Sequence, residues 1–442
     1  MTVPEAPEIE EKVYPLTPFD GNPVSRANMQ FVLFYTLDAD ADRTKLSATM
    51  QQTFHQTMAQ YPILYGKIQN SGTEVHVTRD YATGAGRPVF EEHRVSGAVA
   101  EIRAAEFNWA QWPAELRRVT VARGTEGPQA EAPLVQCVVA WMDDGLGMVI
   151  SVDHTVADGV AVDLLLNKWA RTARGQSEEP VVPDCDHQSF YQAIKEDGVS
   201  FDDWFLRLVD GLSADEQPVQ AIGVTGDADS IERALMDNVH KMQVTPESLE
   251  QLKRDYPADN VPVMRLTYAL LWQRYMRARN ASSRCLLNVI HNARHHANRP
   301  YYVGNGVCPT YMLRDSGSLG TDPLDVIARD LDIHKTTGTM WLAFCRRMLD
   351  PQWFAKFLTV FSSPTADQLT ISNISRIGLY RADFGFGIPV HATMYPVLVP
   401  GFTIWTPLGP DGGLLILWNM TSDVFHRLSE DPVFCKYVDI VF

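Results

Sequence analysis

Basic charge is scarce in this chain of 442 residues, where 38 Lys and Arg face 54 Asp and Glu for a net charge of −16. Nucleic acids and anionic membranes attract a basic face, so this balance argues against both partners. It leaves room for one local basic pocket that takes a small phosphorylated ligand. Cysteine is also sparse. The six (Cys137, Cys185, Cys285, Cys308, Cys345 and Cys435) are scattered with no Cys-x-x-Cys pair. That spacing argues against a zinc ribbon or a disulfide scaffold and predicts reduced, buried thiols. No stretch reaches the ~18–20 consecutive apolar residues of a membrane helix. The acidic start, Met1 to Lys12, lacks the basic and apolar regions of a signal peptide, and Asp439-Ile440-Val441-Phe442 is no targeting or lipidation box. The expectation is a cytoplasmic protein without a membrane span.

Apolar residues, by contrast, are plentiful at 45%, with 21% charged, which predicts a well-filled interior. At ~100–200 residues per domain the length implies two. Gln30 to Leu37 alternates like a strand, and Leu46, Met50, Phe54 and Met58 mark a helix stopped by Tyr61-Pro62. Leu134 to Met142, the turn Asp143-Asp144-Gly145 and Leu146 to Val152 read as a hairpin. A helix follows through Val162, Leu165, Leu166 and Trp169 and stops at Arg174-Gly175. Helices are expected again from about Pro246 to Arg254, with Thr245 as N-cap, and from about Val263 to Arg279. A strand is expected near Leu286 to His291, with more from Gln368 onward. Strands and helices mix in both halves, so the class is α/β. Polar, Pro-containing Gln176 to His187 is the candidate linker, and the expected division is 1–183, a crossover at 184–225, and 226–442.

The chemistry concentrates in Val152-Asp153-His154-Thr155-Val156-Ala157-Asp158-Gly159. His154 falls where a strand ends and a helix opens, an address suited to a functional side chain. A free imidazole there can take a proton from a hydroxyl or amine. Asp158 falls at the helix N-terminus, where a carboxylate is favoured, and Gly159 leaves room for a turn and for a ligand near the backbone. Two roles for Asp158 stay open: orienting the imidazole, or locking the turn so that His154 is aimed. The bland alternative is a core histidine beside an ordinary cap. Near the C-terminus, Asp383-Phe384-Gly385-Phe386-Gly387 describes a tight loop in which Asp383 bonds backbone N–H groups or an arginine. Asp383-Phe384-Gly385 also spells the kinase magnesium motif, but no H-R-D loop or Gly-rich phosphate loop accompanies it. No G-x-S-x-G elbow, H-E-x-x-H helix or dinucleotide fingerprint occurs either.

With both motifs in order, the chain resembles the BAHD family of acyl-CoA-dependent acyltransferases, marked by H-x-x-x-D-G and D-F-G-W-G. Further matches are Leu16-Thr17-Pro18, Tyr61-Pro62 with Gly66, Trp272, Asn292-Ala293-Arg294 and Tyr302-Val303-Gly304-Asn305. The resemblance implies two similar-sized chloramphenicol-acetyltransferase-like domains, each a mixed β-sheet flanked by helices, with a channel between them. It implies direct transfer without an acyl-enzyme. His154 would deprotonate an alcohol, phenol, polyol or amine acceptor, which attacks the thioester of acyl-CoA. Acyl-CoA would be a co-substrate, with no permanently bound cofactor and no metal, and a monomer would suffice. Asp158 would turn from the channel to pair with Arg294, while Gly159, Asp383, Gly385 and Gly387 would support the site structurally. Where many members have Thr-Ser-Trp, this chain has Ser372-Asn373-Ile374, so Ser372 or Asn373 would meet the oxyanion or the acceptor. Phe386 replaces the usual Trp of the second motif, and Asn292 the usual Asp.

Lys253 and Arg254 are candidates for the CoA phosphates, against the plainer reading of an exposed helix end. His291, His295 and His296 cluster with Arg294 and Arg299; without a carboxylate or thiol to complete a set, a basic rim for the CoA phosphates fits better than a metal site, and a solvated loop is the plainest reading of all. Two other functions share part of the pattern. A free-standing condensation-type enzyme shares H-x-x-x-D-G but usually carries a second histidine where this chain has Asp153. A catalytically silent relative that binds a partner would keep the fold without needing the base.

Overall fold

The computed structural model describes residues 10–17, 20, 28–69, 74–78, 84, 86–117, 132–176, 183–195, 234, 237–282, 284–331, 342–343, 345–347, 367–395 and 399–442. Most of the expected crossover, 196–225, and Pro18 lie outside them. The chain forms two compact units of similar size: Met1–Ile194 with Arg294–Gly306 and Ile377–Tyr395, and Lys195–Ala293 with Val307–Arg376 and Pro396–Phe442. The division therefore does not follow one cut in the sequence. Arg294 and Asp383, read as parts of the C-terminal domain, pack within the first unit.

The first unit is built on a five-stranded sheet in the order His391–Met394, Asn28–Thr36, Gly145–Asp153, Val135–Trp141, Val89–Arg94. The hairpin pairs Val135 with Val152 and Trp141 with Leu146. Every residue of Gly145–Asp153 is buried, as a central strand covered on both faces must be. Helices Arg43–Met58 and Gly159–Ala173 join the same core, where Trp169 is fully buried and donates to the Met50 carbonyl at 3.2 Å. A separate three-stranded sheet joins Lys12–Pro15, Glu74–Val77 and Lys67–Gln69.

The second unit carries a seven-stranded sheet in the order Val307–Asp315, Arg284–Asn292, Asp367–Asn373, Phe402–Gly409, Gly412–Asn419, Val239–Val244, Asp439–Ile440. Asp367–Asn373 runs parallel to both of its neighbours, and the remaining pairs are antiparallel. One face packs on helix Val263–Ala278, with Leu266, Leu270, Trp272 and Tyr275 meeting Leu287, Ile371 and Trp405 in one core. Helix Pro246–Asp255 begins at Thr245, whose hydroxyl accepts from Ser248 N at 3.1 Å. The mixed α/β class expected from the sequence is present in both units. None of the six cysteines is in a disulfide, but Cys435 is exposed and Cys185 half-buried, so only four are the buried thiols expected. Among the described residues no helix is long and apolar enough to cross a membrane.

Candidate active site

His154 stands in the short connection between strand Gly145–Asp153 and helix Gly159–Ala173. Local chemistry shapes this turn. Asp153, fully buried, accepts from Thr155 N at 2.8 Å, and Val156 N donates to the Asp153 carbonyl at 3.1 Å. Such an Asx turn reverses the chain one residue either side of His154. The imidazole is half-buried, and its Nδ1 is buried with no hydrogen-bond partner. Gly159 is the buried first residue of the helix and does not adopt a positive φ, so the turn is made by Asp153 rather than by this glycine.

Asp158 caps the helix, accepting from Ala161 N at 2.9 Å. Its two oxygens also receive both terminal nitrogens of Arg294, each at 2.7 Å, and Oδ2 accepts from Gly306 N at 2.9 Å. Four donors fill the carboxylate, and the imidazole is not among them. Of the two roles open at the sequence level, the geometry is that of a turn lock. Arg294 is 2% exposed and its other donors reach the Tyr302 carbonyl at 2.9 Å and the Gly304 carbonyl at 3.0 Å. A Cβ on Gly306 would lie 2.7 Å from this guanidinium, so the close approach requires glycine. A planar fork on a carboxylate is the pairing that arginine makes best, and burial makes it costly to break.

One contact to the His154 backbone was not anticipated. Asn305 Nδ2 donates to the His154 carbonyl at 2.5 Å. Its only trace in the sequence is the Tyr302-Val303-Gly304-Asn305 match, which carries no indication of its target.

The second motif is a loop closed on itself. Asp383 accepts from Gly385 N at 2.8 Å and Gly387 N at 3.0 Å, and both glycines have φ near +100°, which explains their identity. Arg174, just past the end of helix Gly159–Ala173, bonds the Asp383 carbonyl and lies 3.9 Å from its carboxylate. Phe384 inserts against Trp169 with ring centroids 4.5 Å apart, and Phe386 meets Tyr35 edge-on at 5.2 Å. Asp383 thus spends its oxygens on its own loop and on Arg174.

Gly378, just before that loop, donates its N–H at 2.8 Å to Oδ1 of Asp163 in helix Gly159–Ala173, which also accepts from Asn167 Nδ2 at 2.7 Å. Burial pushes the Asp163 carboxyl above its ordinary range, against the Gly378 bond and the Arg381 charge. A carboxyl that holds its proton more tightly when folded stabilises fully below the unfolded value of about 4 and loses that stabilisation as pH rises through the raised value. Asp163→Asn is expected to flatten this fall, read as a smaller loss of denaturation midpoint between about pH 4 and pH 7 than in the parent.

On the second unit, Ser372 and Asn373 end strand Asp367–Asn373 and point to opposite faces of the sheet. Asn373 turns to the helix side, donating to Tyr268 Oη at 2.8 Å and accepting from Ser375 Oγ at 2.7 Å. Its amide is occupied. Ser372, half-buried, is on the face away from that core. Lys253 and Arg254 are exposed in the last turn of their helix, where Arg254 bonds Gln251 at 2.8 Å. The basic rim drawn from Arg294 and Arg299 does not form, because Arg299 bonds Asp184 at 2.5 Å through two nitrogens and Arg294 is spent on Asp158. Among the described residues no group of three or more His, Cys, Asp or Glu is placed to hold a metal ion.

The model of the Transferase family matches residues 1–399. The acyltransferase cm3D of Cordyceps militaris is 25% identical over 193 residues, which span 38% of this chain and 38% of that protein. Among solved structures, TRI101 of F. graminearum complexed with coenzyme A and T-2 mycotoxin superposes with a TM-score of 0.77 at 17% identity, covering 98% of this chain and 100% of that one. Vinorine synthase superposes with a TM-score of 0.69 at 18% identity, covering 100% and 98%. The fold is shared with both, and by the family match the chain belongs to the Transferase family, the BAHD acyltransferases.

Proposed function

We propose that this protein is an acyl-CoA-dependent acyltransferase of secondary metabolism, with His154 as general base. The observation that carries this reading is the construction around His154. An Asx turn, the Asp158–Arg294 lock and the Asn305 bond fix its main chain, while the ring makes no structural bond through Nδ1. A base held that rigidly is preorganised for proton transfer. His154 takes the proton of an acceptor O–H or N–H, and the freed lone pair attacks the thioester carbonyl. The tetrahedral adduct collapses with cleavage of the C–S bond, and the CoA sulfur receives a proton from the imidazolium.

Asp158 and Arg294 hold the turn, Gly159 leaves room for a ligand beside the backbone, and Asp383, Gly385 and Gly387 give support from their own closed loop. Ser372 is assigned a hydrogen bond to the substrate in preference to Asn373, whose amide is taken by Tyr268 and Ser375. Lys253 and Arg254 are assigned to the CoA phosphates. The acceptor is a neutral alcohol, phenol, polyol or amine, in keeping with the net charge of −16. The coenzyme A and toxin in the TRI101 complex supply the precedent for donor and acceptor classes. The protein acts as a cytoplasmic monomer. A condensation-type enzyme fits less well, because the position before His154 holds Asp153, committed to the turn.

Thiol release from a panel of free acyl-CoAs, with and without small alcohols and amines, tests the proposal. Acceptor-dependent release supports it. Strict dependence on a carrier-protein-bound acyl group would overturn it.

A further inference from the structure

Thr17, from the match Leu16-Thr17-Pro18, and the main chain of Asn305, from the match Tyr302-Val303-Gly304-Asn305, converge on one buried carboxylate. Asp20 is fully buried. Its Oδ2 accepts from Thr17 N at 2.9 Å, Thr17 Oγ1 at 2.7 Å and His187 Nδ1 at 2.9 Å, and its Oδ1 accepts from Asn305 N at 3.2 Å. His187 is as buried as Asp20, and Tyr302 Oη lies 2.9 Å from the same Nδ1. A carboxylate only accepts, so Nδ1 carries the proton. The Tyr302 ring stacks on Phe190 with centroids 3.9 Å apart at 8°, and its carbonyl accepts from Arg294. A Cβ on Gly304 would lie 2.8 Å from the His187 ring, so little slack remains.

We infer that Asp20 and His187 are a positioning pair for His154, acting through Asn305 and separately from the Asp158–Arg294 lock. Asp20 fixes the Asn305 main chain, and the Asn305 side chain in turn holds the His154 carbonyl. The pair is the meeting point of three distant segments, around Thr17, His187 and Asn305, all within the first unit. Burial alone would push the Asp20 carboxyl up, yet the His187 charge and bond and the Thr17 bonds carry it below its ordinary value, so it stays ionised. A charged acceptor makes each of these bonds about twice as strong as its neutral equivalent. This inference rests on His154 being the base.

The test uses the full chain with His187→Leu, which removes the N–H, and His187→Asn, whose amide N–H falls where Nδ1–H does. In hydrogen exchange read by mass spectrometry, His187→Leu is expected to speed exchange at 152–158 and 300–306 at least about tenfold, the scale of one bond to a charged group. Helix Gly159–Ala173 should stay unchanged, and His187→Asn should restore most of the protection. With an acyl-CoA and alcohol that the parent turns over, kcat should fall in the same proportion while KM for acyl-CoA holds. If His187→Leu does not fold, Asp20→Asn is read in its place. Unchanged exchange at both segments, a uniform rise along the whole chain, or an Asn variant as impaired as the Leu variant would each overturn the pairing. His154→Ala separates the two claims: parental turnover in that variant removes the base and leaves the exchange result standing.

Discussion

His154→Ala is expected to release CoA thiol ~10²–10⁴-fold more slowly than the parent, with KM for acyl-CoA nearly unchanged. The size follows from what the ring supplies. It accepts a proton as the acceptor attacks, an interaction made in the transition state and not in the bound ground state, so its loss falls on kcat. The residual rate comes from holding two substrates together, which the rest of the site still does. Stability should move little. Nδ1 has no hydrogen-bond partner to leave stranded, and the half-buried ring contributes packing alone. A variant that unfolds or loses acyl-CoA affinity instead would mean that the imidazole is a core group. A variant that turns over at the parental rate would remove it from the chemistry.

The turn around His154 was legible because its determinants are local. The hairpin, the N-cap and the glycine stop each follow from residues within a few positions, and the strand Gly145–Asp153 and helix Gly159–Ala173 lie within a residue or two of their expected ends. The glycines of the second motif were legible for the same reason, since positive φ is a local demand. The roles of Arg299 and Asn373 were not. A guanidinium reads as a rim charge until Asp184, 115 positions away, is found on it, and a strand-end amide reads as a substrate contact until the helix-side Tyr268 claims it. Which face of a sheet a residue takes changes with a shift of one position, and the sequence around Ser372-Asn373 does not set that register. Gly159 illustrates the opposite error: a glycine beside a turn invites a conformational role that Asp153 already fills.

Asp158→Asn separates the lock from a triad more sharply than any change at His154. If Asp158 oriented the imidazole, the amide would cost catalysis heavily and stability little. In the observed arrangement the carboxylate meets Arg294 twice, both partners are at most 2% exposed, and Ala161 N and Gly306 N complete its coordination. The amide keeps one acceptor and turns two N–H groups toward donors, leaving a buried guanidinium uncompensated. Removing one partner of such a pair costs ~3–5 kcal/mol. At ~2–4 °C per kcal/mol for a unit of this size, the melting temperature should fall by roughly 10 °C. Arg294→Met should cost as much, and the double variant less than the sum, because the second change removes the charge that the first left stranded. Activity assayed well below the lowered melting temperature should recover a substantial part of the parental kcat, since the base itself is intact. A stable Asp158→Asn protein with kcat reduced to the level of His154→Ala would reverse the assignment and make this carboxylate a partner of the imidazole.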